Sequence, residues 1–215
     1  MSFNMRTKCP AMNVSRSGNT ERTRQKILDA ALRLFAARGY AGTGTQAIIE
    51  ASNVTKPVLY YHFGSKAGLF RAIVDRTENQ LLDLISRIKG DVKSAPGRLV
   101  QICAAMFQAA CDQPEVMSLA IDLLLQAKEQ GPPHKHCFGK AQKRLAVIRE
   151  VMEQGKIEGT LRDQIDSGQM AVGFLGMVHY HILFHLAARS PLTRNKAVEA
   201  VSLFLKGAMI GKSKN

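Results

Sequence analysis

Apolar side chains recur along this chain at the spacing expected for one face of an α-helix. The clearest stripe follows the i, i+3, i+4, i+7, i+8 order and consists of Ile27, Ala30, Ala31, Leu34 and Phe35. Asn19 and Thr20 precede the stripe and can cap a helix, and Gly39 follows it as a helix stop. The pattern therefore predicts a first amphipathic helix that begins near residue 19 or 20 and ends at Gly39.

Residues 40–70 predict two short helices joined by a tight turn. The first, residues 45–52, carries Ile48 and Ile49 on one side. Asn53 then ends it, because an asparagine tolerates the left-handed backbone in which many helices stop. A helix–turn–helix unit is the expected result.

The second short helix is both basic and aromatic. Thr55 can cap its N-terminus, and Pro57 fits in its first turn, where a missing N–H costs nothing. Leu59 and Phe63 lie four residues apart and share a face that must be buried. The other side chains then point wholly or partly outward: Lys56, Val58, Tyr60, Tyr61 and His62. A short helix with this outer face, on a basic protein, is typical of a nucleic-acid contact.

The remaining chain predicts helices only. Ser65 caps a long fourth helix that continues to Gly90, and no later stretch alternates as a strand does. Five more helices are predicted: one opened by Pro96-Gly97, one from Pro114 to Leu125, one from about Lys135 to Glu153 after the break at Gly131-Pro132-Pro133, one capped by Asp166, and one that starts at Ser190-Pro191. The fold class is therefore expected to be all-α, with about nine helices.

Positive charge is concentrated near the N-terminus. The 215-residue chain has a formal net charge of +13. Residues 1–66 contribute +7 of it, from ten Lys and Arg against three Asp and Glu. Such a basic region is expected of a phosphate-binding module, although membranes and acidic proteins also attract it. Its coincidence with the two short helices favours nucleic acid.

The sequence favours a cytoplasmic protein with no membrane partner. Its four cysteines form no CxxC pair, and polar residues interrupt the N-terminus where a signal peptide needs an apolar stretch. Residues 170–188 are the most membrane-like, but His179, His181 and His185 would be costly in lipid. We expect reduced thiols, and we interpret this stretch as a buried helix in a core or in a dimer interface.

Two groups of histidines are weighed as metal ligands. His134, His136 and Cys137 lie together in a predicted loop, where a solvated loop is favoured over a zinc site because no second cluster accompanies them. His181 and His185 share a helical face and are interpreted as a hydrogen-bonded interface pair, with metal binding or titration near neutrality as the alternative. No Ser–His–acid set, HExxH motif or catalytic carboxylate pair is found. The sequence therefore predicts no enzyme, no metal and no cofactor.

The two short helices and their flanks resemble the N-terminal domain of the tetracycline-repressor (TetR) family. The resemblance covers about Thr20 to Ile73 and rests on Gly39-Tyr40, Thr43, Ile48, Val54, Leu59-Tyr60-Tyr61-His62-Phe63, Ser65-Lys66 and Leu69. Ile49 stands where the family usually has Ala, Asn53 where it usually has Gly, and Gly44 at a frequent Ser/Thr position. None of these departures removes a candidate for a phosphate contact.

The resemblance implies a three-helix helix-turn-helix head and a larger helical body that binds a small molecule and dimerises through its last two long helices. We expect a disordered basic arm over residues 1–18, the DNA-binding domain over 19–66, and the ligand-binding and dimerisation domain over 67–215. The fourth helix connects the head with the body. A ligand is expected to push the C-terminal half of this helix, near Leu81, Leu84, Ile85 and Ile88.

Resemblance and side-chain chemistry together assign DNA contacts to nine residues: Thr45, Gln46, Lys56, Pro57, Val58, Tyr60, Tyr61, His62 and Lys66. Phosphate contacts set the register and are expected from Thr45, Tyr60, His62 and Lys66. Gln46 can pair with adenine and Lys56 with guanine, while Val58 and Pro57 offer an apolar contact to a thymine methyl. Tyr61 is equally well explained as a half-buried aromatic residue.

Met and Phe side chains of the predicted body helices are candidates for the wall of a ligand cavity: Met106, Phe107, Met117, Leu124, Met152, Phe174 and Met177. In the family that the chain resembles, such residues line apolar cavities. Met and Phe at helical spacing are also ordinary core residues, and the sequence does not separate the two roles.

The leading hypothesis is a homodimeric, cytoplasmic transcriptional repressor that a small, partly apolar ligand releases from a palindromic operator in double-stranded DNA. A ligand-independent DNA-binding regulator, or an architectural DNA-binding protein, is the alternative. A helical enzyme or carrier would need a catalytic constellation that the sequence does not contain.

Overall fold

The computed structural model describes residues 14–125 and 131–208 of the chain. These residues form nine α-helices and no β-strand, so the predicted all-α fold is confirmed. The helices are α1 Val14–Arg38, α2 Thr45–Ser52, α3 Lys56–Phe63, α4 Lys66–Asp91, α5 Ala95–Asp112, α6 Pro114–Leu125, α7 Pro132–Ile157, α8 Ser167–Ala188 and α9 Arg194–Ala208. We call α1 to α3, with the first half of α4, the head, and the remaining helices the body.

An aromatic cluster forms the centre of the head. The ring centroids of Phe35, Tyr40 and Phe70 lie 5.3–6.0 Å from one another. Ile48 of α2 and Leu59 of α3 are fully buried in the same core. Burying one such side chain contributes about 1.5–3 kcal/mol, so these two residues hold the short helices against α1 and α4.

Helix α4 contributes to both cores of the molecule. Its first half buries Leu69 and Phe70 in the head, and its second half buries Ile85 and Ile88 in the body. The body core continues through α5, α7, α8 and α9. A single helix of 26 residues therefore runs from the head into the body.

Local signals end the head helices as predicted. Gly39 follows α1 with φ 71°, and Asn53 ends α2 in the left-handed conformation with φ 51°. The Ser65 hydroxyl accepts a hydrogen bond from the Gly68 N–H at 2.9 Å and caps α4. The chain reversals between the head helices are therefore encoded by residues close to each turn.

The cap of α3 differs from the prediction. Thr55 occupies the N-cap position, but its side chain accepts no hydrogen bond from the helix. Pro57, in the first turn as predicted, has no N–H to donate, and the Val58 N–H donates to the Thr55 carbonyl at 3.1 Å. The exposed Thr55 hydroxyl is thus left at the surface where α3 begins.

Helix α1 begins earlier than predicted. It starts at Val14, before the caps expected at Asn19 and Thr20, so residues 14–18 of the predicted disordered arm are helical. The rest of that arm, residues 1–13, lies outside the described residues. The apolar stripe marked where the helix is buried, whereas the helix itself begins several residues before that contact.

Helix α7 is longer than predicted, because it runs from Pro132 to Ile157 instead of from about residue 135 to 153. The two prolines after Gly131 occupy the first helical positions, where their missing N–H groups have no helical partner in any case. The residues predicted as a break therefore begin the helix.

Helix α9 begins at Arg194 and not at Ser190-Pro191. The Thr193 hydroxyl accepts a hydrogen bond from the Lys196 N–H at 3.1 Å and provides the cap. Both sites carry start signals, and the structure uses the second one.

Helix α8 is long and apolar enough to cross a membrane by length and composition alone. In the structure, one of its sides packs into the body core, where Phe174, Val178 and Ile182 are fully buried. Its other side is exposed. The interpretation of this stretch as a core helix is confirmed for the buried side.

Candidate nucleic-acid interface and ligand cavity

Helix α3 presents the predicted basic and aromatic face. Lys56, Tyr60 and Tyr61 are exposed, and Tyr61 is the most open at 81%. The Lys56 ammonium lies 5.9 Å from the centre of the Tyr60 ring, close enough for a cation–π contact. Val58 and His62 are half-buried beside them. The half-buried alternative for Tyr61 is therefore wrong, and its ring is free to meet a partner.

The opposite side of α3 is anchored in the head. Leu59 is fully buried, and Phe63 is half-buried beneath the guanidinium of Arg24, which lies 5.6 Å from its ring centre. Because one side is fixed in this way, the side chains on the other side keep a defined orientation.

The N-terminus of α2 adds hydrogen-bond donors beside α3. Gly44 occupies the N-cap position and supplies no side-chain acceptor, so the first N–H groups of α2 remain available to an anion such as a phosphate. Thr45 is half-buried in this first turn. Gln46 is exposed, and its amide nitrogen donates to Glu50 at 2.9 Å, which orients the side chain.

Lys66 has partners inside the head. Its ammonium donates hydrogen bonds to the carbonyl oxygens of Tyr40 and Thr43, each at 3.0 Å, and lies 4.3 Å from the centre of the Tyr40 ring. These bonds tie the start of α4 to the turn between α1 and α2. The phosphate contact of Lys66 stays a prediction, while the geometry gives this side chain a positioning role.

Replacing Lys66 with methionine is expected to lower the free energy of unfolding by about 1.5–3 kcal/mol, because hydrogen bonds from a charged donor are lost. DNA affinity should fall for all sequences alike, since α2 loses its tether to α4. Urea unfolding measures the first effect, with Lys143→Met on the exposed surface of α7 as the matched control. If the two variants have equal free energies of unfolding, the hydrogen bonds of Lys66 do not stabilise the head.

The body contains a cavity of about 250 Å³ between α4, α6, α7 and α8. Its apolar wall consists of Met117, Ala120, Ile121, Gly176 and Leu183. Its polar wall consists of Glu78, Arg144, His179 and Tyr180. Apolar walls with a few converging polar groups are typical of sites for small molecules.

Of the predicted pocket residues whose side chains the structure describes, only Met117 lines this cavity. Met106, Phe107, Met152 and Phe174 are buried in the body core, and Met177 packs against that core. The side chain of Leu124 lies outside the described residues. Since the buried residues already fill space between the helices, they are core residues and not a cavity wall.

Two oppositely charged side chains meet in the cavity wall. Arg144 of α7 donates a hydrogen bond from Nη1 to Oε1 of Glu78 on α4, and both side chains are almost fully buried. The other carboxylate oxygen, Oε2, and the guanidinium Nε have no hydrogen-bond partner within the described part of the chain. The cavity thus contains a buried ion pair that protein groups satisfy only in part.

His179 is neutral in the same wall. Burial, and after it the positive charge of Arg144, lower the pKa of its imidazole from 6.5 to about 4. A neutral imidazole has one nitrogen that donates and one that accepts a hydrogen bond. His179 can therefore bind an uncharged polar group at neutral pH.

The lowered pKa of His179 predicts a loss of stability in acid. The unfolded state takes up the proton near pH 6.5 and the folded state only near pH 4. Stability is thus complete above pH 6.5 and falls as the pH drops towards 4, by up to about 3 kcal/mol at 1.36 kcal/mol per pH unit. His179→Gln, which has no such proton, should lose less stability over this range. If the curves of unfolding free energy against pH are parallel for the two proteins, the loss of stability in acid does not come from His179.

The histidines weighed as metal ligands have other partners. His136 lies in α7 and not in a loop, with Nε2 3.0 Å from Oδ1 of Asp75, and Cys137 is buried. The ring of His181 meets Phe107 edge-on, and Nδ1 of His185 lies 2.6 Å from the Ser190 carbonyl oxygen. The imidazoles of His181 and His185 are therefore not hydrogen-bonded to each other. Within the described residues, no group of three or more His, Cys, Asp or Glu is placed to hold a metal ion.

The head matches a known family. A family model described as bacterial regulatory proteins of the tetR family covers residues 27–73, which extend from α1 into α4. The head of this chain is a DNA-binding domain of the tetR family of regulatory proteins.

Proteins similar to this chain include named transcriptional regulators of the helix-turn-helix type. The transcriptional repressor NicS of Pseudomonas putida is 23% identical over 150 residues, which are 70% of this chain and 71% of NicS. The transcriptional regulator AcrR of Shigella flexneri is 41% identical over 64 residues, which are 30% of each chain. The alignment thus spans less than a third of AcrR.

One solved structure is similar to this chain over both the head and the body. AibR, solved in complex with isovaleryl coenzyme A and operator DNA, is 26% identical to this chain with a TM-score of 0.65. The match covers 84% of this chain and 97% of AibR. The arrangement of head and body is therefore shared.

Sequence reasoning missed most of the cavity wall in the body. Two helical stripes could have indicated it: Met117, Ala120 and Ile121 on α6, and Gly176, His179, Tyr180 and Leu183 on α8. Glu78 and Arg144 had no local signal, because they are 66 residues apart in the chain.

The body leaves apolar side chains exposed on its last two helices. They are 42–74% exposed and comprise Val172, Tyr180, Leu183, Phe184, Val198 and Leu203. We call this set the α8–α9 apolar surface. Clustered exposed apolar side chains of this kind mark contact surfaces more often than free ones.

Proposed function

We propose that this protein is a cytoplasmic, homodimeric repressor that leaves a palindromic operator when a small, partly apolar molecule occupies the body cavity. The observation that carries the proposal is the course of α4. This helix buries Leu69 and Phe70 in the head and places Glu78 in the cavity wall. One element therefore touches both the DNA-binding unit and the cavity.

The DNA contact falls to α3 and to the first turn of α2. Tyr60, Tyr61 and Lys56 form the exposed face that enters the major groove, and the N–H groups at the start of α2 meet a phosphate. Gln46 and Lys56 are the exposed side chains whose hydrogen-bonding groups suit base edges.

Replacing Lys56 with alanine is expected to relax base preference at one position of each half-site, at a cost of about 1–3 kcal/mol. Selection of bound duplexes from a random pool gives the preferred site for each protein. The wild-type site should be palindromic, with half-sites about one helical turn or a multiple of it apart. If Lys56→Ala selects the same bases with uniformly lower affinity, Lys56 contacts the backbone instead.

Dimerisation through the α8–α9 apolar surface supplies the symmetry that a palindrome requires. A second copy would cover Phe184, Leu203 and their neighbours in an isologous interface. Two linked heads then bind two half-sites, and the second head binds at a high effective concentration.

The middle of α4 can transmit a change in the cavity to the head. Glu78 bonds Arg144, while Arg76, two residues earlier, donates to Gln25 of α1 at 2.7 Å. Asp75 accepts from Lys140 of α7 at 2.5 Å. The contact between cavity and α4 thus lies at Glu78, earlier than the expected stretch near Leu81 to Ile88. A shift of this segment moves the head relative to the body.

Two experiments test the proposal. A thermal-shift screen of small molecules should find compounds that raise the melting temperature, because a ligand that binds only the folded state stabilises it. Each compound is then added to the complex with the selected operator, which it should dissociate. If compounds bind the cavity and leave the complex intact, the ligand-independent regulator is the better account.

A further inference from the structure

The cavity carries no net charge at neutral pH. Among the described residues that line it, Glu78 and Arg144 are the ionised pair, and they neutralise each other. His179 lines the same wall and forms no hydrogen bond to another described residue. The charge of the site is therefore balanced before any ligand enters.

This balance works against charged ligands. A carboxylate would have to give up its hydration and compete with Glu78 for Arg144. An ammonium group would likewise compete with Arg144 for Glu78. An uncharged ligand meets neither cost, and its apolar part is matched by Met117, Ile121 and Leu183.

The stability of the fold does not by itself explain why this ion pair is present. Glu78 Oε2 and Arg144 Nε are buried without a hydrogen-bond partner among the described residues, and an unsatisfied buried polar atom destabilises the fold. Apolar residues of the same volume would commonly serve the fold as well or better. This cost favours a role for the pair in selecting what enters the cavity.

We infer that the cavity binds an uncharged, largely apolar molecule with one hydroxyl or carbonyl group that hydrogen-bonds His179, and that the Glu78–Arg144 pair excludes carboxylates. The inference rests on the proposed role of the cavity as the effector site. It adds the chemical class of the effector and names the residues that set this class.

The test compares alcohols with carboxylates on two skeletons of different shape, β-naphthol with β-naphthoate and octanol with octanoate. Isothermal titration of the full-length protein without DNA gives each dissociation constant. The wild-type protein should bind the alcohol of at least one pair about tenfold or more tightly than the acid. Glu78→Gln leaves Arg144 with an unpaired charge and should reverse the preference, so that the acid binds more tightly.

Three further proteins separate the effect of charge from the effects of shape and of folding. Glu78→Met combined with Arg144→Met removes both charges, so it should keep the preference for the alcohol and gain no affinity for the acid. Glu153→Gln, on the exposed surface of α7, is the matched control and should behave as wild type. His179→Phe should weaken binding of β-naphthol and leave binding of naphthalene unchanged.

In these titrations, three results would overturn the inference: equal binding of acid and alcohol by the wild-type protein, an unchanged preference in a folded Glu78→Gln protein, or no binding of either alcohol. Because DNA is absent, these results do not depend on repression. An alcohol that binds as expected but leaves the operator complex intact would instead contradict the proposed function. A carboxylate that releases DNA would support that function and refute the inference.

Discussion

Replacing Phe184 with glutamate is expected to convert the protein to a monomer and to lower its affinity for a palindromic operator by about a hundredfold to ten-thousandfold. Phe184 is 54% exposed and stacks on Tyr180 in the α8–α9 apolar surface. A buried dimer interface would force the new carboxylate out of water without a partner. The two heads would then bind half-sites independently.

Light scattering at micromolar concentration measures the assembly, and titration of labelled operator measures the affinity. Phe138→Glu is the matched control, because Phe138 is 50% exposed on α7 and is not a member of the α8–α9 apolar surface. This control should remain dimeric. A dimeric Phe184→Glu protein with normal operator affinity would place the interface elsewhere.

Replacing Arg144 alone with methionine is expected to lower the free energy of unfolding by about 3–5 kcal/mol, because the Glu78 carboxylate is left buried without its partner. Replacing both residues with methionine should recover most of this loss, since no buried charge then remains. The comparison thus separates the cost of an unpaired charge from the cost of altered packing.

Urea unfolding gives the coupling free energy of the pair when four proteins are compared at one protein concentration. These are the wild type, Arg144→Met, Glu78→Met and the double variant. Lys89→Met is a suitable control, because Lys89 pairs with Glu150 at the exposed surface, where such pairs contribute about 0–1 kcal/mol. A double variant as unstable as Arg144→Met would mean that packing, not charge, accounts for the loss.

The head could be predicted closely because its signals are local. Asn53 ends α2, Ser65 caps α4, and Leu59 is buried four residues before Phe63, and each follows from neighbours in the chain. The partners of Lys66 could not be found in this way. Its two carbonyl acceptors lie 26 and 23 residues earlier, at Tyr40 and Thr43.

The cavity could not be predicted, because core and cavity walls are made of the same residue types. Met106 and Met117 both lie on apolar helical stripes, yet one is buried in the core and the other lines the cavity. The difference arises from how α4, α6, α7 and α8 pack around Glu78 and Arg144. That packing is a property of distant segments and leaves no local pattern.

The most direct test of the regulatory account is the dissociation constant of a cavity ligand, measured with and without the selected operator duplex. If the ligand releases DNA, the operator must weaken ligand binding by the same factor, because coupling between two sites is reciprocal. A coupling free energy of about 1–3 kcal/mol corresponds to roughly a 5- to 150-fold weaker affinity in the presence of operator. The account predicts a change of this size, abolished in a Glu78→Met/Arg144→Met protein that still binds both partners. An identical dissociation constant with and without operator would contradict it.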